Sequence, residues 1–425
     1  MVTRHTDSLK VGGALLAWAL LGCGAEGAIP GGGGPLPEGA CGRGLLVVAS
    51  DYQSTNTSLV DPEGVVIQPS FLSSASADPG ISAALSGDVV APTDRVTAEA
   101  VLIDRFPAAV VTWVDVASGE VTAQLDVSTG FPSNPQDLLR IGDRGFVSRY
   151  ETNPTPGTEP HDAGGDVLEI AFDPEPRVAG RIDLAPAMMD APGFLPRAGK
   201  LLAVGGEAWV ALLSAFAADF VTSAPSRLVT FEGTQMVDVH VLEGLHGCTT
   251  LARASEGSVA VGCSGDFGGS STADPATAGV VWLERDGDGW REDARFDGAA
   301  LGGAVGFGLA VGLTPSGAPR ILATTLGETD ELGDPVRLDR LLALDPSGAA
   351  PPEEVLASAP FQLGELRCLG PVASGRAASC GSCWAADAEA GVLHRLRLSE
   401  GEVEVEGSLV VDESIGLPPR YLGGL

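Results

Sequence analysis

The chain has few positive charges and almost no lysine. Of its 425 residues, 25 are Lys or Arg and 56 are Asp or Glu, so the net charge is −31. Such a chain repels a phosphate backbone, which excludes nucleic acid as a partner. We interpret the acidic excess as an aid to solubility, the alternative being attraction of divalent cations or a basic partner. Lys10 and Lys200 are the only lysines, which we attribute to codon bias in a GC-rich genome.

Long apolar runs and catalytic motifs are also missing. No stretch of 18 apolar residues occurs, which argues against a helical membrane protein. The patterns H-E-x-x-H, G-x-S-x-G and the P-loop are absent. Hydrophobic residues nevertheless make up 44% of the chain, enough for a large core and too many for a disordered protein. The sequence therefore favours a binding or scaffold module over an enzyme and names no ligand.

The first residues have the organisation of an export signal. Arg4 and Lys10 precede an uncharged apolar run over residues 11–22, which is too short to span a bilayer. The run ends in Leu20-Leu21-Gly22-Cys23, which resembles the bacterial lipobox. The resemblance implies that residues 1–22 are removed and that Cys23 receives acyl chains such as palmitate. The alternative is an ordinary signal peptide cut after Ala25 or Ala28, with loss of Cys23.

Residues 23–40 predict a lipidated flexible tether, because they are rich in Gly and Pro and have little that could pack. Gly24 follows the lipobox cysteine where Asp would indicate retention at the inner membrane. We therefore expect a protein of the cell envelope, held by its lipid in the outer membrane of a Gram-negative bacterium. Residues 41–425 are left as the folded domain.

The remainder of the chain repeats with a period of about 56 residues. Short β-rich runs flank a turn of acidic or small residues, seven times, at intervals of 54 to 59 residues. These turns begin at Asp61, Ala117, Asp173, Glu232, Asp286, Asp345 and Ser399. A second series of turns lies between them, at Gly87-Asp88, Gly142-Asp143, Gly205-Gly206, Glu256-Gly257, Ser316-Gly317 and Ser374-Gly375.

Two hairpins per repeat, seven times, predict an all-β, seven-bladed β-propeller. A pair of β-sandwiches is the alternative, but it would not keep so regular a period. The first repeat lacks its first strand, since Leu45–Ala49 already has the place of a second strand. We predict that Gly416–Leu425 supplies the missing strand and closes the ring. The pattern resembles bacterial lipoproteins with a propeller of the lactonase-like or amine-dehydrogenase-like class.

Six cysteines follow Cys23, and an exported chain makes disulfides plausible. Folding the fifth-repeat hairpin about its turn pairs Cys248 with Cys263. In the seventh repeat we predict Cys368–Cys380 from the hairpin register, although Cys383 repeats the 15-residue separation of the first pair. Cys380 and Cys383 also match a redox C-x-x-C, but no strand–turn–helix pattern accompanies them. Cys41 has no assigned partner, and no zinc-binding spacing is present.

No metal or cofactor is expected beyond the lipid at Cys23. Asp286-Gly287-Asp288-Gly289 begins like a calcium loop, but Arg291 and Asp297 do not fit the later positions, so we interpret it as a hairpin turn. The connections between second and third strands are long and should share one face of the ring, a common place for a binding surface. We expect that face to bind a protein or a small molecule. The alternatives to such a binding protein are a lactonase-like hydrolase and a purely structural envelope protein. Candidate binding residues there are Arg149, Tyr150, His161, Asp162, Asp266, Glu328 and Asp330.

Overall fold

The structure is a computed structural model that describes residues 41–425 except 78, 97–98 and 371–381. Nearly all regular structure in this part of the chain is β-strand. One four-residue α-helix, α1 (Gly298–Leu301), and one 3₁₀ turn (Ala185–Met188) lie between strands. The strands in chain order are β1 (Leu45–Ser50), β2 (Thr55–Val60), β3 (Val66–Ser73), β4 (Val89–Val90), β5 (Glu99–Asp104), β6 (Val110–Asp115), β7 (Val121–Asp126), β8 (Pro135–Ile141), β9 (Arg144–Thr152), β10 (Gly164–Ala171), β11 (Arg177–Asp183), β12 (Leu195–Gly205), β13 (Ala208–Phe216), β14 (Ser223–Glu232), β15 (Gln235–Val241), β16 (Cys248–Ser255), β17 (Ser258–Cys263), β18 (Gly279–Asp286), β19 (Gly289–Asp297), β20 (Val305–Leu313), β21 (Pro319–Thr325), β22 (Glu328–Thr329), β23 (Pro335–Arg337), β24 (Asp339–Leu344), β25 (Glu353–Ser358), β26 (Leu363–Cys368), β27 (Ser382–Asp387), β28 (Val392–Leu398), β29 (Val403–Leu409) and β30 (Pro419–Gly424).

These strands form the seven blades of a β-propeller, as the repeat predicts. Each blade is a four-stranded antiparallel sheet. From the inner strand outward the blades are β30-β1-β2-β3, β4-β5-β6-β7, β8-β9-β10-β11, β12-β13-β14-β15, β16-β17-β18-β19, β20-β21-β24-β25 and β26-β27-β28-β29, with β22 and β23 forming a small hairpin between β21 and β24. The inner strands β30, β4, β8, β12, β16, β20 and β26 lie side by side around a central channel.

All seven turns of the first predicted series connect the third strand of a blade to the fourth. The turn after β2 shows why its residues are suited to the position. The Asp61 carboxylate accepts a hydrogen bond from the backbone N–H of Val65, 2.7 Å away. Gly64 has φ of +89°, in the left-handed region that favours glycine, and a Cβ there would meet the Trp384 ring at 2.6 Å. The turn is therefore fixed both by its own chemistry and by the neighbouring blade.

The second predicted series is confirmed at four positions and wrong at one. Gly142-Asp143, Gly205-Gly206, Glu256-Gly257 and Ser316-Gly317 each connect an inner strand to its neighbour. Gly87-Asp88 instead precedes the short inner strand β4 (Val89–Val90), and the connection to β5 spans residues 91–98. This longer connection extends towards the channel because the Thr93 N–H donates to the buried Asp137 carboxylate. Ser374-Gly375 lies outside the described residues.

Ring closure by the C-terminal strand is confirmed. β30 pairs with β1, and Val47 lies opposite Leu422. The pairing continues past the strand, where the Leu425 carbonyl accepts from the Arg43 N–H at 2.8 Å. Leu422 and Leu425 are buried, while Leu417 is only half-buried. The C-terminal segment thus completes the first blade and fills the space between neighbouring blades.

Two disulfides hold equivalent hairpins, and one of the predicted pairings is wrong. Cys248 and Cys263 are bonded between β16 and β17, as predicted. Cys368 is bonded to Cys383 between β26 and β27, not to Cys380, which lies outside the described residues. The prediction assumed a tight turn near residue 374, but the pairing register places Cys368 directly opposite Cys383 across a longer connection. The shared 15-residue separation was therefore the better guide.

The core lies between the blades. Large side chains on the broad faces of adjacent sheets are fully buried, as in the stack of Trp209 between Phe146 and Phe231, with ring centroids 4.7 and 4.2 Å apart. Burial of this kind on every sheet face is the main stabilising contribution in a ring of blades. The inner strands are consequently held in place by packing behind them, which leaves their channel-facing edges available for a site.

Candidate ligand site in the central channel

A cavity of about 600 Å³ lies in the central channel. Its walls come from the inner strands β12, β16, β20 and β26 and from the connection that follows β4. The volume falls within the range of small-molecule pockets in proteins. The cavity reaches Thr314 and Pro315, which lie in the turn between the first two strands of the sixth blade. It therefore extends towards the end of the ring opposite the long loops that the sequence favours as a binding face.

One wall of the cavity is apolar. It includes Leu251 of β16 and four residues of β20 at alternating positions, Phe307, Leu309, Val311 and Leu313. Leu309 is buried against the adjacent blade, whereas Phe307 exposes half of its surface. Residues two apart on a regular strand lie on the same side, so Leu309, Val311 and Leu313 form an apolar strip. Phe307 adds to the lining from the irregular stretch between Val305 and Leu309, where the pairing register shifts.

The rest of the lining includes ionic pairs. The Lys200 ammonium donates to the Glu365 carboxylate at 3.0 Å, and the second carboxylate oxygen of Glu365 accepts from the Leu422 N–H at 2.9 Å. This pair connects β12 and β26 across the channel. Through Leu422, the closing strand β30 is hydrogen-bonded to the same carboxylate. Both side chains keep about a sixth of their surface exposed, at 17% and 15%. Their mutual attraction and the hydrogen bond from Leu422 offset the cost of removing these charges from water.

Arg253 and Asp94 form a second, looser pair. Arg253 donates to the Ala203 carbonyl at 2.6 Å and approaches the Asp94 carboxylate at 3.4 Å. That second distance is at the long end for a hydrogen bond, and a third of the arginine side chain is exposed. The Arg253 guanidinium therefore retains donors that can reach into the cavity.

Arg367 differs from both because no acidic side chain among the described residues is paired with it. Its only hydrogen bond within the described part of the chain goes to the Thr93 carbonyl, and no carboxylate there lies within salt-bridge distance. The guanidinium rests on Gly424, where a Cβ would come within 2.7 Å of Nη2, so glycine makes room for it. Burial lowers the pKa of Arg367, although Asp94, Glu365 and Asp137 oppose the shift. An arginine still carries its charge under these conditions.

Asp137 lies behind this part of the lining and fixes its geometry. Its carboxylate accepts from the backbone N–H groups of Thr93, Leu138 and Leu201 at 2.9, 2.8 and 2.8 Å. Burial raises the pKa of Asp137, against the opposing effect of Lys200 and these hydrogen bonds. The carboxylate thereby anchors the connection after β4 to the inner strands on either side.

The charges of the cavity lining are opposite in sign to those of the chain as a whole. Four basic residues line it (Arg95, Lys200, Arg253 and Arg367) against two acidic ones, Asp94 and Glu365. The chain itself has a net charge of −31. Low-dielectric walls strengthen the field of such a cluster, so the cavity attracts anions that the outer surface repels. Within the described residues, no group of three His, Cys, Asp or Glu side chains is placed to hold a metal ion.

The candidate residues chosen from the sequence lie elsewhere, in three separate blades on the loop face. Arg149 is fully buried and donates to both oxygens of Asp166 at 2.7 Å, and also to the His161 carbonyl at 2.6 Å. Tyr150 lies beside Arg197, and burial raises the pKa of Tyr150 to about 12. Asp162 accepts from the Gly157 N–H within the same loop.

The other candidates also hold their own loops. Asp266 caps the Gly268 N–H at 2.9 Å, and Asp330 caps the N–H groups of Leu332 and Asp334 at the same distance. Glu328 pairs with Arg337 at 2.8 Å across the small hairpin of β22 and β23. No hydrogen bond or ion pair between described residues joins the three groups. A binding role for the loop face stays a prediction.

Sequence reasoning missed the channel residues. Asp94, Lys200, Arg253, Glu365 and Arg367 belong to four different segments that only the ring brings together. One signal was present, because Lys200 is the sole lysine after Lys10.

Comparison with known proteins gives the fold and no family. No family model matches the chain, and no curated protein matches it. Among solved structures it resembles proteins described provisionally as 6-phosphogluconolactonases from Bacteroides fragilis NCTC 9343 and Bacteroides uniformis ATCC 8492. Their TM-scores are both 0.51 and their identities 13% and 14%, over 90% of this chain and 97% and 98% of theirs. Apo AztD from Citrobacter koseri follows at a TM-score of 0.43 and 11% identity, over 90% of this chain and 97% of that one. The two Bacteroides structures show that the fold is a β-propeller with lactonase-like neighbours.

Proposed function

We propose that this protein is a lipid-anchored β-propeller of the cell envelope that binds a small molecule in its central channel. The observation that carries the binding role is a cavity of about 600 Å³ whose lining is basic in an acidic chain. A pocket with an apolar wall and a few converging polar groups is the usual form of a small-molecule site. The lactonase-like neighbours are only 13% and 14% identical to this chain and show the fold alone, so we do not extend their activity to it.

The anchor is proposed from the sequence. Cys23 lies outside the described residues, and among those described no helix is long and apolar enough to cross a bilayer. The two disulfides between described residues support an oxidising compartment such as the cell envelope. We expect Cys23 to become the acylated N-terminus, with the propeller held outside the bilayer by residues 24–40.

Mass spectrometry of the protein isolated from membranes tests the anchor. The expected mature chain begins at Cys23 and carries the mass of acyl chains, and Cys23→Ser should release the protein into the soluble fraction. Trimming the tether while keeping Cys23 is the matched control and should leave the protein membrane-bound. An unmodified mature chain that starts after Ala25 or Ala28 would contradict the proposal.

Lys200 provides a direct probe of the channel. Once residues 1–22 are removed, it is the only lysine in the chain, and peptide mapping separates it from Lys10 in any uncleaved material. Its side chain is 17% exposed, so an amine-reactive acetylating reagent can reach it. We would compare the acetylation rate in protein taken from its own envelope with the rate after unfolding, dialysis and refolding. Protection that is lost on dialysis supports a channel ligand, and equal rates would overturn the binding role.

A further inference from the structure

We propose that the channel cavity binds an amphipathic organic anion, with one carboxylate held by Arg367 and an aliphatic body along β20. This inference rests on the proposed binding role and names the class of ligand for the same site. It depends on three features of the cavity, which are an unpaired cation, neighbouring cations that are already engaged, and an apolar strip.

The unpaired cation is the Arg367 guanidinium. Removing a charge from water is costly unless an opposite charge or several hydrogen bonds replace the lost hydration. Within the described residues the guanidinium gains only the Thr93 carbonyl. The planar fork of arginine matches two carboxylate oxygens, so a bound carboxylate would supply the missing partner in a bidentate contact.

The neighbouring cations direct the ligand to Arg367. Lys200 is paired with Glu365 at 3.0 Å, and Arg253 lies beside Asp94 at 3.4 Å. Of these three cations, only Arg367 has no carboxylate within salt-bridge distance in the described part of the chain. A carboxylate bound to Arg367 therefore takes the cation that these acidic side chains leave available, with Arg253 as a second donor.

The apolar strip determines the rest of the ligand. Phe307, Leu309, Val311 and Leu313 line the cavity with no hydrogen-bonding side chain among them. Hydroxyl groups placed against this strip would lose their hydrogen bonds to water without gaining partners, which is unfavourable. Hydrocarbon placed there gains the burial of apolar surface, and half of the Phe307 surface is open to receive it. The cavity thus favours a fatty-acid-like carboxylate over a sugar acid or a sugar phosphate.

Isothermal titration calorimetry of the folded protein with three probes tests the proposal. The probes are octanoate, octan-1-ol as its uncharged counterpart, and glucose 6-phosphate as a polar anion. We expect octanoate to bind most tightly and to slow acetylation of Lys200. Arg367→Met should weaken octanoate by at least about tenfold, the scale of a lost charge-assisted hydrogen bond, and leave octan-1-ol unchanged. Arg367→Lys keeps the charge without the fork and should fall between the two.

Arg291→Met is the matched control, because Arg291 is 62% exposed on the outer strand β19 and its loss changes the net charge equally. It should bind octanoate like the unaltered protein, and circular dichroism verifies that each variant is folded. Equal affinities for octanoate and octan-1-ol, or tighter binding of glucose 6-phosphate, would overturn the carboxylate assignment. If no probe binds while envelope-derived protein still shows protected Lys200, the ligand class is wrong and the channel site stands. If that protection is also absent, the proposed function fails with it.

Discussion

Ring closure by β30 should make a large contribution to stability, and one buried leucine allows this to be measured. Leu422 exposes 1% of its surface and packs among residues of the first and last blades, including Leu45 and Trp384. Leu422→Ala removes this packing and leaves a cavity, for which the expected cost is about 2–5 kcal/mol of unfolding free energy. The effect is local to the joint between the first and last strands of the chain, so it reports on closure.

Deletion of residues 419–425 is the larger perturbation. It removes the burial of Leu422 and Leu425, about 1.5–3 kcal/mol for each side chain, and the whole hydrogen-bonded pairing of β30 with β1. It also exposes the inner edge of β1, and unpaired edges promote aggregation. We therefore expect the deleted protein to unfold at much lower denaturant concentration or to aggregate.

The assay is equilibrium unfolding in guanidinium chloride followed by tryptophan fluorescence and circular dichroism. Ile415→Ala is the matched control, since Ile415 lies just before β30 and exposes 46% of its surface. The control should change the unfolding free energy by less than about 0.5 kcal/mol, as substitutions on the surface usually do. If Leu422→Ala and the deletion both behave like the control, closure does not stabilise the ring and this account of the first blade is wrong.

Three further predictions concern the disulfide of the last blade, the buried ion pair and acid stability. Non-reducing peptide mapping should find Cys368 linked to Cys383, and a peptide linked through Cys380 would contradict the pairing. Replacing both cysteines by Ala should lower the unfolding free energy by about 3 kcal/mol, since the bond closes a 15-residue loop. Arg149→Met leaves the fully buried Asp166 with Arg181, which is partly exposed, as its arginine partner. The variant should lose about 3–5 kcal/mol of unfolding free energy. A loss below about 1 kcal/mol would show that the Arg149–Asp166 pair does not stabilise the fold. Burial raises the pKa of Asp387, but hydrogen bonds from His394, the backbone and a serine outweigh it and hold that pKa below its usual value. The stability that this lowered pKa contributes is present at neutral pH and is lost as pH falls through the pKa. Asp387→Asn should therefore lose less unfolding free energy between pH 6 and about pH 2 than the unaltered protein. Identical dependence of the unfolding free energy on pH in the two proteins would refute the assignment.

The propeller was predictable because its signals are local and recur. A turn such as Asp61–Gly64 carries its own chemistry in four adjacent residues, and seven such turns at similar spacing leave few alternatives. The closing strand was predictable for the same reason, since Leu45–Ala49 has a second strand's place and lacks a predecessor. Register within a hairpin was less predictable, because Cys380 and Cys383 differ by only three positions and the length of the connection decides between them.

The channel site was not predictable by the same route. Its ionic residues come from β12, β16, β26 and the connection after β4. The partners of each ion pair, Lys200 with Glu365 and Arg253 with Asp94, are therefore far apart in the sequence. Asp94 was hidden in particular, because the sequence placed the first turn of its blade at Gly87-Asp88, seven residues too early for Asp94 to enter the channel. Side chains that meet only through ring geometry leave no spacing in the sequence to detect.

A crystal structure of the protein purified from its own membranes tests the central claim most directly. The account predicts electron density for a small molecule in the channel, with a charged group about 3 Å from the Arg367 guanidinium and an apolar part against Phe307. Density for a ligand on the long loops, with only water between Arg367 and Phe307, would contradict it.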